Sequence, residues 1–185
     1  MTMAIYLLTA AALTQSAVPV ECGFHPKARA LARLIIEDPD QQRLSLKCDG
    51  LLAWVAQQKA REMAERRHVS HMGEGGANAR VVNAGYPLDK RYGIGMANQI
   101  EAVAGGIGDP EAMWEAFKDS FGHRRHLLGE HPLYQEQDEI AVGYYYDWDT
   151  PNVDHWVVYV ARKDSGGETP LVLVSKPKSL SVELE

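Results

Sequence analysis

Basic residues are scarce in this chain of 185 residues, in which 19 Lys and Arg stand against 25 Asp and Glu. The formal net charge is −6, and no stretch gathers the cationic side chains into a basic stripe. Nucleic acid is therefore not an expected partner, and neither is an anionic membrane surface. Hydrophobic residues make up 45% of the sequence, which is enough for one globular domain with a sizeable core.

Long apolar runs are also missing. The run at residues 4–13 is too short to span a membrane and is typical of a signal peptide, although no Lys or Arg precedes it. A buried N-terminal helix is the alternative. We expect a signal peptide at residues 1–17, the domain at residues 18–162, and a tail at residues 163–185 in which 171–174 could add an edge strand. The expected location is secreted or periplasmic.

Cysteine is rare, with only Cys22 and Cys48 present. An even number of cysteines after an export signal predicts one disulfide, and two buried free thiols are the alternative. Neither cysteine lies in a C-x-x-C motif, which argues against redox catalysis and against a thiolate zinc site.

Several catalytic signatures are absent. The sequence has no H-E-x-x-H, which excludes a zincin, and no G-x-S-x-G, which argues against a serine hydrolase of the α/β type. The glycines at residues 105–108 lack the Lys-Ser/Thr ending of a phosphate loop. Asp109 and Glu111 follow them and would repel a phosphate, so we interpret these glycines as a bend.

The periodicity that is present predicts helices first and strands late. Helices are expected at residues 26–37, 49–66 and 78–84, and another begins at Asp109-Pro110, where Asp is a suitable N-cap and Pro a suitable first residue. Its apolar side places Trp114 and Phe117 in the core. The β-forming segments at residues 139–146 and 155–161 read as strands. This order indicates an α+β fold.

Some polar residues stand in positions that suggest a site. Glu101 has apolar neighbours on both sides, and a buried carboxylate needs a partner. His71 follows the second helix, where it either faces a cleft or caps the helix end. His68 and His71 form one H-x-x-H pair, and His123 and His126 form another. Either pair could hold a metal, although the pattern alone is weak evidence.

The order of these residues resembles the CAP superfamily, which includes cysteine-rich secretory proteins, antigen 5 and pathogenesis-related 1 proteins. His71 corresponds to the first cleft histidine, and Glu101 to the glutamate of the G-E-N motif, with Ile100 and Ala102 departing from that motif. Ser120, His123 and Arg124 follow the Ser-x-x-His-Arg pattern of the family's S-P-G-H-R motif, and His123 matches its histidine. His155, which precedes Trp156, matches the histidine of the G-H-F-T-Q motif in eukaryotic members. The resemblance covers roughly residues 28–161 of the sequence.

The resemblance implies an α-β-α sandwich with a small antiparallel sheet between helices. It also implies a cleft lined by five residues: His71, Glu101, Ser120, His123 and His155. Zinc or another divalent cation would be held by His71 and His155. Ser120 takes the position of the family's second glutamate, so one acid of the usual tetrad is missing.

Two functions follow from this resemblance as hypotheses. The first is a binding domain for a divalent metal, a small molecule or a lipid. The alternative is a metal-assisted hydrolase or protease that acts on extracellular peptides or cell-wall material. The sequence favours binding because the second acid is absent, and it leaves open whether any reaction occurs.

Overall fold

The computed structural model of the protein describes residues 21–166. The helices in this range are α1 (Pro26–Glu37), α2 (Gly50–Glu65), α3 (Ala77–Asn83), α4 (Pro110–Asp119), α5 (Phe121–Leu127) and α6 (Pro132–Gln135), with a short 3-10 helix at Lys90–Tyr92. The strands are β1 (Lys47–Cys48), β2 (Glu101–Gly105), β3 (Glu139–Tyr146) and β4 (Asp154–Ala161).

Capping side chains form hydrogen bonds at the first residues of the longer helices and set where these helices begin. The Asp49 side chain accepts a hydrogen bond from the Leu52 amide at 2.8 Å and caps α2. The Asp109 side chain accepts one from the Ala112 amide at 2.9 Å, and Pro110 follows as the first residue of α4. These bonds satisfy amide groups that have no partner within the helix. The starts of both helices therefore match the sequence prediction.

The four strands form one sheet in the order β1-β3-β4-β2. Strand β4 lies antiparallel to both β3 and β2, and the β2–β4 register sets Glu101 opposite Tyr159 and Gly105 opposite His155. Strand β1 pairs in parallel with β3 over two residues. The sheet is therefore mixed rather than purely antiparallel, because the short segment at Cys48 enters alongside β3.

Helices cover both faces of this sheet. Alternate residues of β3 and β4 point to opposite sides, and two separate apolar clusters result. One cluster packs α1 and α4 against side chains such as Val142 and Trp156. The other packs α2 and α3 against side chains such as Val157 and Tyr159. The fold is α+β, as predicted, with the sheet between two helical layers.

Several further predictions can be compared with the described residues. Cys22 and Cys48 form the predicted disulfide, with their Cα atoms 4.6 Å apart. Trp114 and Phe117 lie in the core. Lys163 forms a β-bridge with Leu88, so the chain still packs on the domain just past residue 162. None of the described helices is long and apolar enough to cross a membrane. The predicted signal peptide at 1–17 and edge strand at 171–174 fall outside the described residues.

Candidate ligand-binding cleft

Glu101 is a fully buried carboxylate at the start of β2. Its Oε2 atom accepts hydrogen bonds from Arg80 Nη1 and from the Tyr159 hydroxyl, each at 2.5 Å. Burial, reinforced by the charge of Glu101, raises the pKa of Tyr159 well above its usual value. The Tyr159 hydroxyl therefore stays protonated and donates a hydrogen bond to the carboxylate.

Arg80, on α3, connects this buried group to the loop that carries His71. Its Nη2 atom donates toward the carbonyl oxygens of residues 71, 72 and 73 at 3.2–3.4 Å. Lys59 Nζ also donates to the Met72 carbonyl, at 2.6 Å. Burial opposes the charge on Arg80, but Tyr159 and Glu101 favour it, and on balance the pKa of Arg80 is raised. Two buried cations thus fix the backbone around His71.

This loop also needs glycine at one point. Gly76 has a φ of +99°, and a Cβ atom there would lie 2.8 Å from the Gly95 carbonyl oxygen. A side chain at this position would therefore be strained and would collide with the neighbouring 93–98 segment. Asn98, at the end of this segment, lies beside His71, with Asn98 Nδ2 3.0 Å from His71 Nδ1.

The Glu101 carboxylate orients the His71 ring. His71 Nδ1 lies 2.9 Å from Glu101 Oε1, and an ionised carboxylate can only accept a hydrogen bond. Asn98 Nδ2 also donates to the Glu101 carbonyl, at 3.1 Å. Nδ1 therefore carries the proton that it shares with Glu101, and Nε2 is the ring nitrogen that this contact leaves free. Since the side chain is 44% exposed, it can present Nε2 to a ligand.

His71 lines a cleft of about 220 Å³. Four of the five predicted cleft residues meet there, namely His71, Glu101, Ser120 and His123. The lining residues that sequence analysis did not assign to the cleft are Asn98, Gln99, Gly122, His126 and Tyr134. Helix α5 contributes its histidines from one side, and the loop after α2 contributes His71.

The two α5 histidines are uncharged at neutral pH. Burial, together with the nearby His71, lowers the pKa of His123. Burial, with a contribution from the Arg43 charge, lowers the pKa of His126 to about 3. His126 Nε2 has no hydrogen-bond partner among the described residues. The cleft therefore contains neutral imidazole rings, and these can accept a hydrogen bond or coordinate a cation.

His155 does not belong to this cleft, and its predicted place there is wrong. It pairs with Gly105, four residues along the strands from the Glu101–Tyr159 pair. At about 3.3 Å per residue, this separation is about 13 Å. His155 is fully buried, burial lowers its pKa, and its Nε2 lies 3.5 Å from Thr150 Oγ1. The residue of β4 that reaches Glu101 is Tyr159.

The predicted metal pair of His71 and His155 is therefore not brought together. Among residues 21–166, no group of three or more His, Cys, Asp or Glu side chains converges closely enough to hold a metal ion. Both carboxylate oxygens of Glu101 already have partners. The imidazoles of His71 and His123 remain as the donors that a cation in the cleft could use.

Sequence reasoning missed Arg80, Asn98 and Tyr159. Alternation along β4 does place Tyr159 on the same face as His155, so Tyr159 was available as a candidate. Only the strand register distinguishes the two residues. Arg80 gave no comparable signal, because a short helix with one arginine is a common pattern.

Comparison with known proteins shows a similarity in fold to a solved structure. No family model matches the chain, and no match is found among curated proteins. A solved structure with a similar fold is that of an outer surface protein from Borrelia burgdorferi, with a TM-score of 0.60 and 21% sequence identity. The similarity covers 75% of this chain and 93% of that chain. At this identity the likeness shows the fold alone.

Proposed function

We propose that this chain is an extracytoplasmic, CAP-like binding domain whose cleft takes up a divalent cation through His71 and His123. The observation that carries the proposal is the oriented His71 ring, whose Nδ1 lies 2.9 Å from a buried carboxylate. Metal-binding histidines commonly donate their second ring N–H to a carboxylate in this way. His123 lines the same cleft.

The proposed location rests on the disulfide and on the sequence. Cys22 and Cys48 are joined in the structure, and disulfides persist mainly in oxidising compartments outside the cytoplasm. The apolar run at residues 4–13 is consistent with export. The CAP relationship is supported by the convergence of His71, Glu101, Ser120 and His123 in one cleft.

Binding by two imidazoles leaves several positions on the cation for water or for a small ligand. The affinity should therefore be modest, and the ion would serve as a contact for a ligand rather than as a structural centre. The cleft of about 220 Å³ suits a small polar ligand better than a lipid chain.

The alternative is a metal-assisted hydrolase, and the open positions on a cation held by two histidines favour it. A hydrolase also needs a group to accept a proton from the attacking water. Glu101 is fully hydrogen-bonded, and Ser120 stands where the related family has a second acid. Binding without turnover is therefore the better-supported function.

Calorimetric titration with Zn²⁺ at neutral pH tests the proposal. We expect weak, saturable binding that is lost in a His71→Ala/His123→Ala variant. Glu101→Gln should weaken binding by roughly 10- to 100-fold, measured on the folded fraction of the variant, because it replaces the carboxylate that orients the His71 ring with an uncharged amide. His68→Ala is the matched control, since His68 is exposed and lies outside the cleft. Equal affinity in the wild type and the double variant would contradict the proposal.

A further inference from the structure

A second and larger concavity lies between α2 and α3. This groove has a volume of about 590 Å³, within the range usual for small-molecule sites. Trp54, Gln58, Glu74, Arg80 and Asn83 contribute to its lining, and none of the groove residues lines the His71 cleft. The groove is therefore a separate candidate site.

The groove has one aromatic wall. Trp54 lies on the side of α2 that faces away from the sheet, and it is 50% exposed although α2 buries most of its other apolar residues. A half-exposed indole offers a flat apolar face together with an N–H donor. Val55 and Ala84 extend the apolar surface beside it.

Side chains that can donate hydrogen bonds and side chains that can accept them surround Trp54. Gln58 and Asn83 are amides on the groove lining, each able to donate and to accept. Arg80 is 4% exposed, and its Nε is buried without a hydrogen-bond partner among the described residues. Glu74 Oε2 lies 4.0 Å from Arg80 Nε, too far for a hydrogen bond. A buried donor without a partner is costly, so an acceptor supplied by a ligand would be stabilising.

The charges nearby determine which kind of ligand fits. A smaller concavity shares Gln58, Glu74 and Arg80 with the groove, and its other lining residues are Lys59, Arg61, Glu62 and Glu65. Lys59 pairs with Glu62 at 3.3 Å and Arg61 with Glu65 at 2.8 Å, so the charges at this end of the groove are balanced and select neither an anionic nor a cationic ligand. A neutral hydroxyl group suits these surroundings, because it can accept a hydrogen bond from an amide or from Arg80 and donate one to a carboxylate.

We propose that the α2–α3 groove binds a neutral carbohydrate, with a pyranose ring against Trp54 and its hydroxyls bonded to Gln58, Asn83 and Glu74. A pyranose has an apolar face of C–H groups that suits an indole ring, and its edge carries hydroxyls that both donate and accept. The groove combines these two requirements, whereas the His71 cleft has no exposed indole. The proposal stands independently of metal binding.

The test is a titration followed by two-dimensional proton–nitrogen NMR of the tryptophan indole N–H signals. The probes are maltotriose, cellotriose and triacetylchitotriose at millimolar concentrations, with citrate as an anionic comparison. We expect at least one trisaccharide to shift the Trp54 signal in a saturable way, while citrate does not. Trp54→Ala should weaken the binding roughly five- to tenfold, as expected for the loss of an aromatic contact.

Trp148→Ala is the matched control, because Trp148 is also an exposed tryptophan, at 73%, and does not line the groove. Trp148→Ala should bind the sugar with the same affinity as the wild type. The proposal is overturned if none of the three trisaccharides shifts the Trp54 signal. It is also overturned if Trp54→Ala binds with unchanged affinity, or if citrate binds the groove in place of the sugars.

Discussion

Replacing Glu101 with glutamine should strongly destabilise the domain. The substitution keeps the shape of the side chain but removes the negative charge that faces Arg80, whose side chain is 4% exposed. Arg80 is also held by carbonyl oxygens of the 71–73 loop, so its charge cannot easily move to solvent. Leaving one member of a buried ion pair without its partner costs about 3–5 kcal/mol. We expect a loss of that size in the free energy of unfolding.

Urea unfolding at neutral pH, followed by tryptophan fluorescence, measures this loss. Glu65→Gln is the control, because Glu65 pairs with Arg61 on the surface and both side chains are more than half exposed. Such a pair contributes less than about 1 kcal/mol. The difference between the losses in the free energy of unfolding of the two variants shows how much more a buried charge pair contributes than an exposed one.

A double variant makes the test sharper. Arg80→Met in the Glu101→Gln background removes the unpaired charge, so the two substitutions together should cost less than the sum of their separate effects. A coupling of about 1–3 kcal/mol is expected for residues in direct contact. Additive effects, or a loss below about 1 kcal/mol for Glu101→Gln alone, would refute the reasoning.

Three further predictions use the same unfolding assay. Phe117→Ala should cost about 3–5 kcal/mol because Phe117 is 1% exposed in the core, and a loss below about 1 kcal/mol would mean that the ring is not packed. Reduction of Cys22–Cys48 should cost about 3.5 kcal/mol for a sequence separation of 26; unchanged stability would contradict this. The pKa of His126 is about 3 in the folded state, so the unfolded chain takes up the proton first as pH falls below about 6.5. The free energy of unfolding should therefore decline by about 2–3 kcal/mol between neutral pH and about pH 4.5. His126→Phe should show a smaller decline over the same pH range. An identical decline in this variant and the wild type would exclude His126 as the cause.

Helix starts and buried faces could be predicted from the sequence because they depend on neighbouring residues. Asp49 and Asp109 cap the helices that they precede, and Pro110 begins α4 as expected. The apolar side of α4 put Phe117 in the core. Each of these features follows from a few consecutive side chains and from the periodicity of a helix.

The composition of the cleft was only partly predictable, because it depends on contacts between distant parts of the chain. His71 and Glu101 meet as expected, but strand register places Tyr159 opposite Glu101 and leaves His155 four residues away. Hydrophobic alternation specifies which face a strand residue occupies and does not specify its position along the partner strand. Arg80 was missed for the same reason, since its partners lie in other elements.

The most direct test of the cleft is NMR of the histidine ring nitrogens during titration with Zn²⁺ at neutral pH. The chain has seven histidines, and single substitutions can assign each signal. We predict that His71 loses its free Nε2 signal first and that His123 responds with it, while the exposed His68 and the buried His155 stay unchanged. A response at His155 or His68 in place of His71, or no response at any histidine, would contradict the account.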